Sequence, residues 1–135
     1  MSLAVLFSRA GNGVDAPLVT VEAHRANGLP SLSTVGLPEL AVKESKDRVR
    51  SALLNSRLEF PARRITVNLA PADLPKEGGR FDLPIAIGGL AASGQLPQQT
   101  LSRFEFIGEL ALSGALRAVH GALPAALAAR KAGRA

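Results

Sequence analysis

The run Arg64-Ile65-Thr66-Val67-Asn68-Leu69-Ala70, continued by Pro71-Ala72-Asp73-Leu74-Pro75-Lys76-Glu77-Gly78-Gly79-Arg80 and then Phe81-Asp82-Leu83-Pro84-Ile85-Ala86, holds three kinds of local order in succession. Ile65, Val67 and Leu69 alternate with Thr66 and Asn68, the period-two pattern of a strand with one buried face. Two prolines and Gly78-Gly79 then make residues 71–80 a loop. Asp82 stands as an N-cap before Leu83-Pro84, and the apolar run behind it predicts a short buried helix to about Ser93, with Gly94 as its stop. Gly88 and Gly89 inside that helix cost about 1 kcal/mol each relative to Ala, which predicts a close backbone contact.

Working toward the N-terminus, Pro38 opens the strongest helical pattern of the chain, running to about Ser56. Glu39 and Glu44 lie early and Arg48 and Arg50 late, as the helix dipole prefers. Val42, Val49, Ala52 and Leu53 share one face, which leaves Lys43, Lys46, Asp47 and Arg50 on the solvated one. Glu39 with Lys43 and Glu44 with Arg48 are spaced as i,i+4 pairs. Before this helix, residues 17–23 and 32–37 read as strands, and Asn27-Gly28 between them predicts an antiparallel hairpin. Gly11-Asn12-Gly13-Val14-Asp15-Ala16 matches a dinucleotide fingerprint on paper, but it leads into a strand and reads as a turn.

Toward the C-terminus, residues 104–112 and 115–119 read as strands of a second hairpin around Ser113-Gly114, and 123–130 as a helix. The order of elements is hairpin, helix, strand, helix, hairpin, helix, an α+β fold with one mixed sheet backed by helices. The last helical pattern is still running at Ala135, so the single domain, residues 1–135, is expected to be C-terminally truncated.

Composition narrows the chemistry. The chain has 135 residues, 47% hydrophobic and 20% charged, with no cysteine and two histidines. That is the composition of a domain with a packed core. It excludes disulfides, thiolate nucleophiles and thiolate zinc sites. Nothing resembles a signal peptide or a membrane span, so a cytoplasmic protein without membrane contact is expected. Sixteen basic against eleven acidic residues give a net charge of +5.

Val35-Gly36-Leu37-Pro38-Glu39 with Val42-Lys43-Glu44-Ser45, the string Val67-Asn68-Leu69-Ala70-Pro71-Ala72-Asp73-Leu74-Pro75-Lys76-Glu77-Gly78, and Phe81-Asp82-Leu83-Pro84-Ile85-Ala86 carry a resemblance. With Gly108-Glu109-Leu110-Ala111-Leu112-Ser113-Gly114 and Ala128-Ala129-Arg130-Lys131-Ala132-Gly133, they resemble the N-terminal domain of the magnesium chelatase-related ComM/YifB family. The resemblance covers almost the whole chain. It implies a Lon-protease-like domain of the ribosomal-protein-S-five second-domain superfamily, known for a left-handed βαβ crossover, followed by an AAA+ ATPase module. It marks Asn68, Pro71, Asp73, Lys76, Glu77 and Asp82 as the family-motif loop. It further implies a role in DNA branch migration during recombination or natural transformation, with ATP and Mg²⁺ as cofactors of the absent module. The implied partners are that module and neighbouring subunits of a homo-oligomeric ring.

Lon-type peptidases use a serine nucleophile activated by a lysine. Aligned on the family pattern, the serine position is Arg80 and the lysine position Leu123, so no catalytic residue is expected here. None of the four lysines lies in a GxxxxGK[ST] string, and no cofactor is expected in this segment. Asp73, Glu77 and Asp82 lie close in sequence, but capping by Asp82 and pairing of the others with Lys76 and Arg80 account for them better than a metal does. His24 and His120 have no ligand spacing.

What remains is a distribution of cations. Residues 39–64 hold seven basic and four acidic side chains, with Lys43, Lys46 and Arg50 on one helix face and Arg57, Arg63 and Arg64 around the next strand. Such a face suits the DNA backbone, with sequence-independent and salt-sensitive affinity. With the five phenylalanines read as lying elsewhere, base stacking is not expected. Two readings of the domain stay open: a non-catalytic accessory domain that helps position DNA, or an interaction and oligomerisation module of the ring without DNA contact.

Overall fold

The computed structural model describes residues 2–11, 14–36, 39–60 and 63–135. Strands β1 (Ser2–Arg9), β2 (Leu18–Ala26), β3 (Ser31–Val35) and β4 (Arg64–Ala70) form one sheet in the order β1-β2-β4-β3. β1 and β2 are antiparallel, as are β2 and β4, whereas β3 runs parallel to β4. The strand read at 64–70 is therefore central, with Ile65, Val67 and Leu69 buried as its alternation predicts.

The expected hairpin between residues 17–23 and 32–37 does not form, because β4 lies between the two strands. The reason is what each strand has to bury. β4 offers three large apolar side chains that leave water in a central position. β3 reads Ser31-Leu32-Ser33-Thr34-Val35, with 31, 33 and 35 exposed, and suits an edge. The hairpin partner of β2 is β1, an element the periodicity reading passed over. Asn12 and Gly13 of the turn read at 11–16 lie outside the described residues.

Between β3 and β4 the helical pattern is divided into α1 (Leu40–Lys43) and α2 (Ser45–Asn55), where one helix over 38–56 was expected; Pro38 lies outside the described residues. The division falls at Glu44, whose carbonyl accepts the Asp47 N–H three residues on at 3.1 Å. Helix α3 (Asp82–Ala92) covers one face of the sheet and packs against α2. It is buried nearly all round. At Gly88 a Cβ would stand 3.2 Å from Ala23 Cβ and 3.3 Å from Leu6, the close contact expected of that glycine. Gly89 has no such neighbour within 4 Å. The core is Ala4, Leu6, Val19, Val21, Ala23 and the β4 residues against Phe81, Ile85, Ala86 and Leu90.

A 3₁₀ turn (Leu101–Arg103) leads to a segment that touches β1 through a parallel bridge between Phe7 and Glu105. The second hairpin is present but short: β5 (Glu109–Leu110) pairs with β6 (Leu116–Arg117). Helix α4 (Ala122–Lys131) follows, and Ala135 then exchanges backbone bonds with Arg103 and Glu105 at 3.0 and 2.8 Å. The fold is α+β, with one mixed sheet. No helix among the described residues is long and apolar enough to cross a membrane.

Candidate functional site

The loop of residues 71–80 is tied down by its own lysine. Lys76 is fully buried, and its Nζ donates to the carbonyls of Gly36 (2.6 Å) and Pro71. Burial lowers its pKa, against a smaller opposing pull from Asp73. Its backbone carbonyl accepts the Glu39 N–H at 3.1 Å, and Glu39 Oε1 accepts the Gly78 N–H at 2.7 Å. The expected pairing of Lys76 with a carboxylate is thereby corrected: it bonds carbonyls instead. Asp73 and Glu77 are exposed, and Asn68, on the outer face of β4, donates to Glu22 at 2.8 Å.

Asp82 does not cap α3. Phe81 takes the cap position with a helical backbone, and no side chain closes the helix start. The Asp82 carboxylate is instead fully buried. It accepts Ser45 Oγ, Arg48 Nε (2.7 Å), Arg48 Nη2 (3.0 Å) and the Leu110 N–H (3.0 Å). Four donors from α2 and β5 outweigh what one cap bond to its own helix would supply. The same contact takes Arg48 away from Glu44, its expected i,i+4 partner, and the Asp82 hydrogen bond raises the Arg48 pKa. Asp82 thus belongs to the scaffold, and Arg48 and Ser45 are its partners, which periodicity alone could not show.

Arg80, at the aligned serine position, is 9% exposed and pairs with neither Asp73 nor Glu77. Leu123, at the aligned lysine position, is 69% exposed at the start of α4. Among the described residues no three His, Asp or Glu side chains are gathered to hold a metal. His24 pairs across the sheet with Thr66, and His120 is exposed.

All six cations singled out by sequence are exposed: Lys43, Lys46, Arg50, Arg57, Arg63 and Arg64. None makes an ion pair among the described residues. Lys46 and Arg50 line a cleft of about 560 Å³ with Ser31, Leu32, Asp47 and Phe60. Arg50 lies 5.4 Å from the centre of the Phe60 ring. An aromatic ring therefore does stand among the cations, contrary to expectation. Arg63 lines a second cleft, of about 320 Å³, with Arg25 and Asn27. Ser31 links the two clefts, its N–H donating to the Arg63 carbonyl at 3.4 Å while it stands in register with Arg64. The fold thus sets Lys46 and Arg50 beside β3 and Arg63 and Arg64 at the start of β4, and the pairing of β2 with β4 brings Arg25 to the Arg63 cleft. Lys43, Arg57 and Arg64 line neither cleft.

The class defined by these features is an α+β domain with a pinned Pro- and Gly-rich loop and a cationic sheet edge. The family model for the ChlI subunit of Mg-chelatase matches residues 21–135. The chain is 66% identical to competence protein ComM of Haemophilus influenzae, and 62% and 61% identical to YifB of Salmonella typhimurium and Escherichia coli, in each case over 99% of its length. It belongs to the magnesium chelatase-related ComM/YifB family. It spans 26% of the length of each of these three relatives.

Proposed function

We propose that this chain is a Lon-like accessory domain of a larger ATP-driven protein, and that its cationic edge holds the DNA backbone while an ATPase module moves the strands in recombination or natural transformation. One observation carries this reading. Lys46 and Arg50 beside β3 and Arg63 and Arg64 at the start of β4 are exposed and, among the described residues, without ion-pair partners, and half-buried Arg25 shares a cleft with Arg63. Arginine forks suit phosphate oxygens, and one cleft presents Arg50 while the other presents Arg25 and Arg63. No side chain there reads a base pattern, so binding is by the backbone and independent of sequence. Phe60 is half-buried beneath Arg50 and serves to orient that guanidinium.

The residues of this chain do not fit ATP with Mg²⁺: the sequence has no GxxxxGK[ST] string, and nothing described gathers metal ligands. On this reading nucleotide chemistry belongs to a module outside residues 1–135, in a cytoplasmic, ring-forming parent. Anisotropy of labelled duplex and branched DNA over a salt series tests the proposal. Binding at low salt that Lys46→Glu with Arg50→Glu weakens supports it, and no binding at low salt removes it.

The second reading, a module that contacts its own ATPase module or neighbouring subunits without DNA, is favoured by a different observation. Leu112, Leu116, Leu123 and Leu127 are each more than half exposed on the second hairpin and α4. Capture of the ATPase module in trans, with no DNA affinity, would favour it.

A further inference from the structure

Two arginines of this protein present the same edge to a carboxylate. Arg9 turns Nε and Nη2 onto the two oxygens of Glu105 at 2.7 and 2.9 Å. Arg48 turns the same two nitrogens onto Asp82 at 2.7 and 3.0 Å. Both arginines are half-buried, and each fork is closed by an acid from a distant part of the chain. Arg80 is buried more deeply than either, and among the described residues its Nε and Nη2 have no hydrogen-bond partner.

A guanidinium keeps its proton when buried, so an unpartnered one is costly to leave in place. The cost is open to relief from one side. Arg80 lines a cleft of about 470 Å³ with Gly11, Glu39, Glu77, Glu109 and His120. Backbone walls it closely: a Cβ on Gly11 would fall 2.4 Å from Nη1, and one on Gly121 3.7 Å from Nη2. The three glutamates of the cleft do not close the fork. Glu39 accepts the Gly78 N–H, Glu77 is exposed, and Glu109 lies 4.0 Å from Arg117. The cleft therefore combines one buried unpaired cation with a rim of carboxylates.

We propose that this cleft is a docking site for a polypeptide carboxylate, an acidic side chain flanked by basic residues. The acid enters toward Arg80, whose Nε and Nη2 are the donors left without a partner, the same two nitrogens that the other two arginines give to a carboxylate. The basic neighbours meet Glu39, Glu77 and Glu109. The rim argues against nucleic acid or free phosphate as the occupant, because a polyanion would meet three carboxylates before it reached Arg80. The site lies apart from the β3-edge cations and does not depend on their role.

The test uses the intact chain and three probes: a labelled peptide with Glu between two pairs of lysines, the same peptide with Gln, and inorganic phosphate. The Glu peptide is expected to bind at least about tenfold tighter than the Gln peptide, a ratio worth about 1.4 kcal/mol. Arg80→Met should abolish that ratio without lowering the melting temperature of the free protein, since it removes a charge that has no partner. Arg80→Lys, which keeps the charge and loses the fork, should reduce the ratio, and Glu77→Gln should weaken both peptides. Lys46→Glu with Arg50→Glu should leave the ratio unchanged, which separates this site from the DNA reading. Equal affinity for the two peptides, a lower melting temperature in Arg80→Met, or saturable phosphate binding at Arg80 with no peptide preference would each overturn the proposal.

Discussion

The Arg48 guanidinium closes edge-on over the Asp82 carboxylate, Nε on Oδ2 at 2.7 Å and Nη2 on Oδ1 at 3.0 Å, with Asp82 fully buried. Arg48 also donates to the Ala41 carbonyl at 2.6 Å, and Asp82 also accepts the Leu110 N–H. One ion pair thus joins the α1–α2 helices, the start of α3 and the short hairpin. These are the elements that surround the family-motif loop and set where Arg80 stands.

Removing one partner of this pair strands the other. Arg48→Met, which leaves the fully buried Asp82 carboxylate without its counter-charge, should destabilise the domain by roughly 3–5 kcal/mol, and Asp82→Ala, which strands the partly solvated Arg48, by less. Replacing both, as Arg48→Met with Asp82→Leu, should recover a large part of that loss. Urea unfolding of these variants beside the parent measures it; a single-site variant as stable as the parent would show that the pair is not a tie.

Glu105 gives the domain an acid limit. Burial pushes its pKa up, but the hydrogen bonds and charges of Arg9 and Arg134 outweigh burial and hold it below the ordinary 4.5. The carboxylate is therefore stabilised by folding, and that stability is present above the unfolded value and lost as pH falls through the folded one. Glu105→Gln should flatten the decline of stability below about pH 4.5. Denaturation midpoints measured over the acid range would decide, and parallel profiles for parent and variant would count against the assignment.

Lys76 acts at the other end of the scale. Its folded pKa is lowered from 10.5 by burial, so between the two values the unfolded chain holds a proton that the folded chain has released. Stability should rise with pH through that window, and Lys76→Met should lack the rise. Lys76→Ala, which opens a cavity and leaves the Gly36 and Pro71 carbonyls without their donor, should cost about 3 kcal/mol at neutral pH.

Three helices end with the same pair of backbone bonds, 6→1 and 5→2, around a left-handed residue. That residue is Gly94 after α3 and Gly133 after α4, but Arg57 after α2, at φ 60°. A side chain in that conformation is strained by about 1–2 kcal/mol. Arg57→Gly should accordingly raise stability by about 1 kcal/mol, in spite of glycine's greater chain entropy. A fall in the melting temperature would mean that the arginine makes a compensating contact.

The legible parts of the sequence were those fixed by neighbours in the chain. The alternation of Ile65, Val67 and Leu69, the stop at Gly94, and the inward face of Val42, Val49, Ala52 and Leu53 all follow from local period and turn chemistry. The pairing of β1 with β2 and the insertion of β4 beside β3 depend on which strand has most to bury, a comparison across the whole chain. Asp82 reads as a cap because a cap is the nearest use for an acid before an apolar helix; its real partners stand 28 to 37 residues away. Arg48 is misread for the same reason, with Glu44 one turn off in sequence and Asp82 nearer in space. The exposed cations were visible as a face, but Arg25 joins Arg63 only through the β2–β4 register.

The most direct test of the central claim is the salt dependence of DNA binding by the parent chain and by Lys46→Gln with Arg50→Gln. Contacts from Lys46, Arg50, Arg25, Arg63 and Arg64 predict a slope of log K against log salt of about −4.5, and the double variant should lower its magnitude by about two, alike on every DNA sequence tried. An unchanged slope in the double variant, or no binding by the parent at low salt, would contradict the assignment of this edge to DNA.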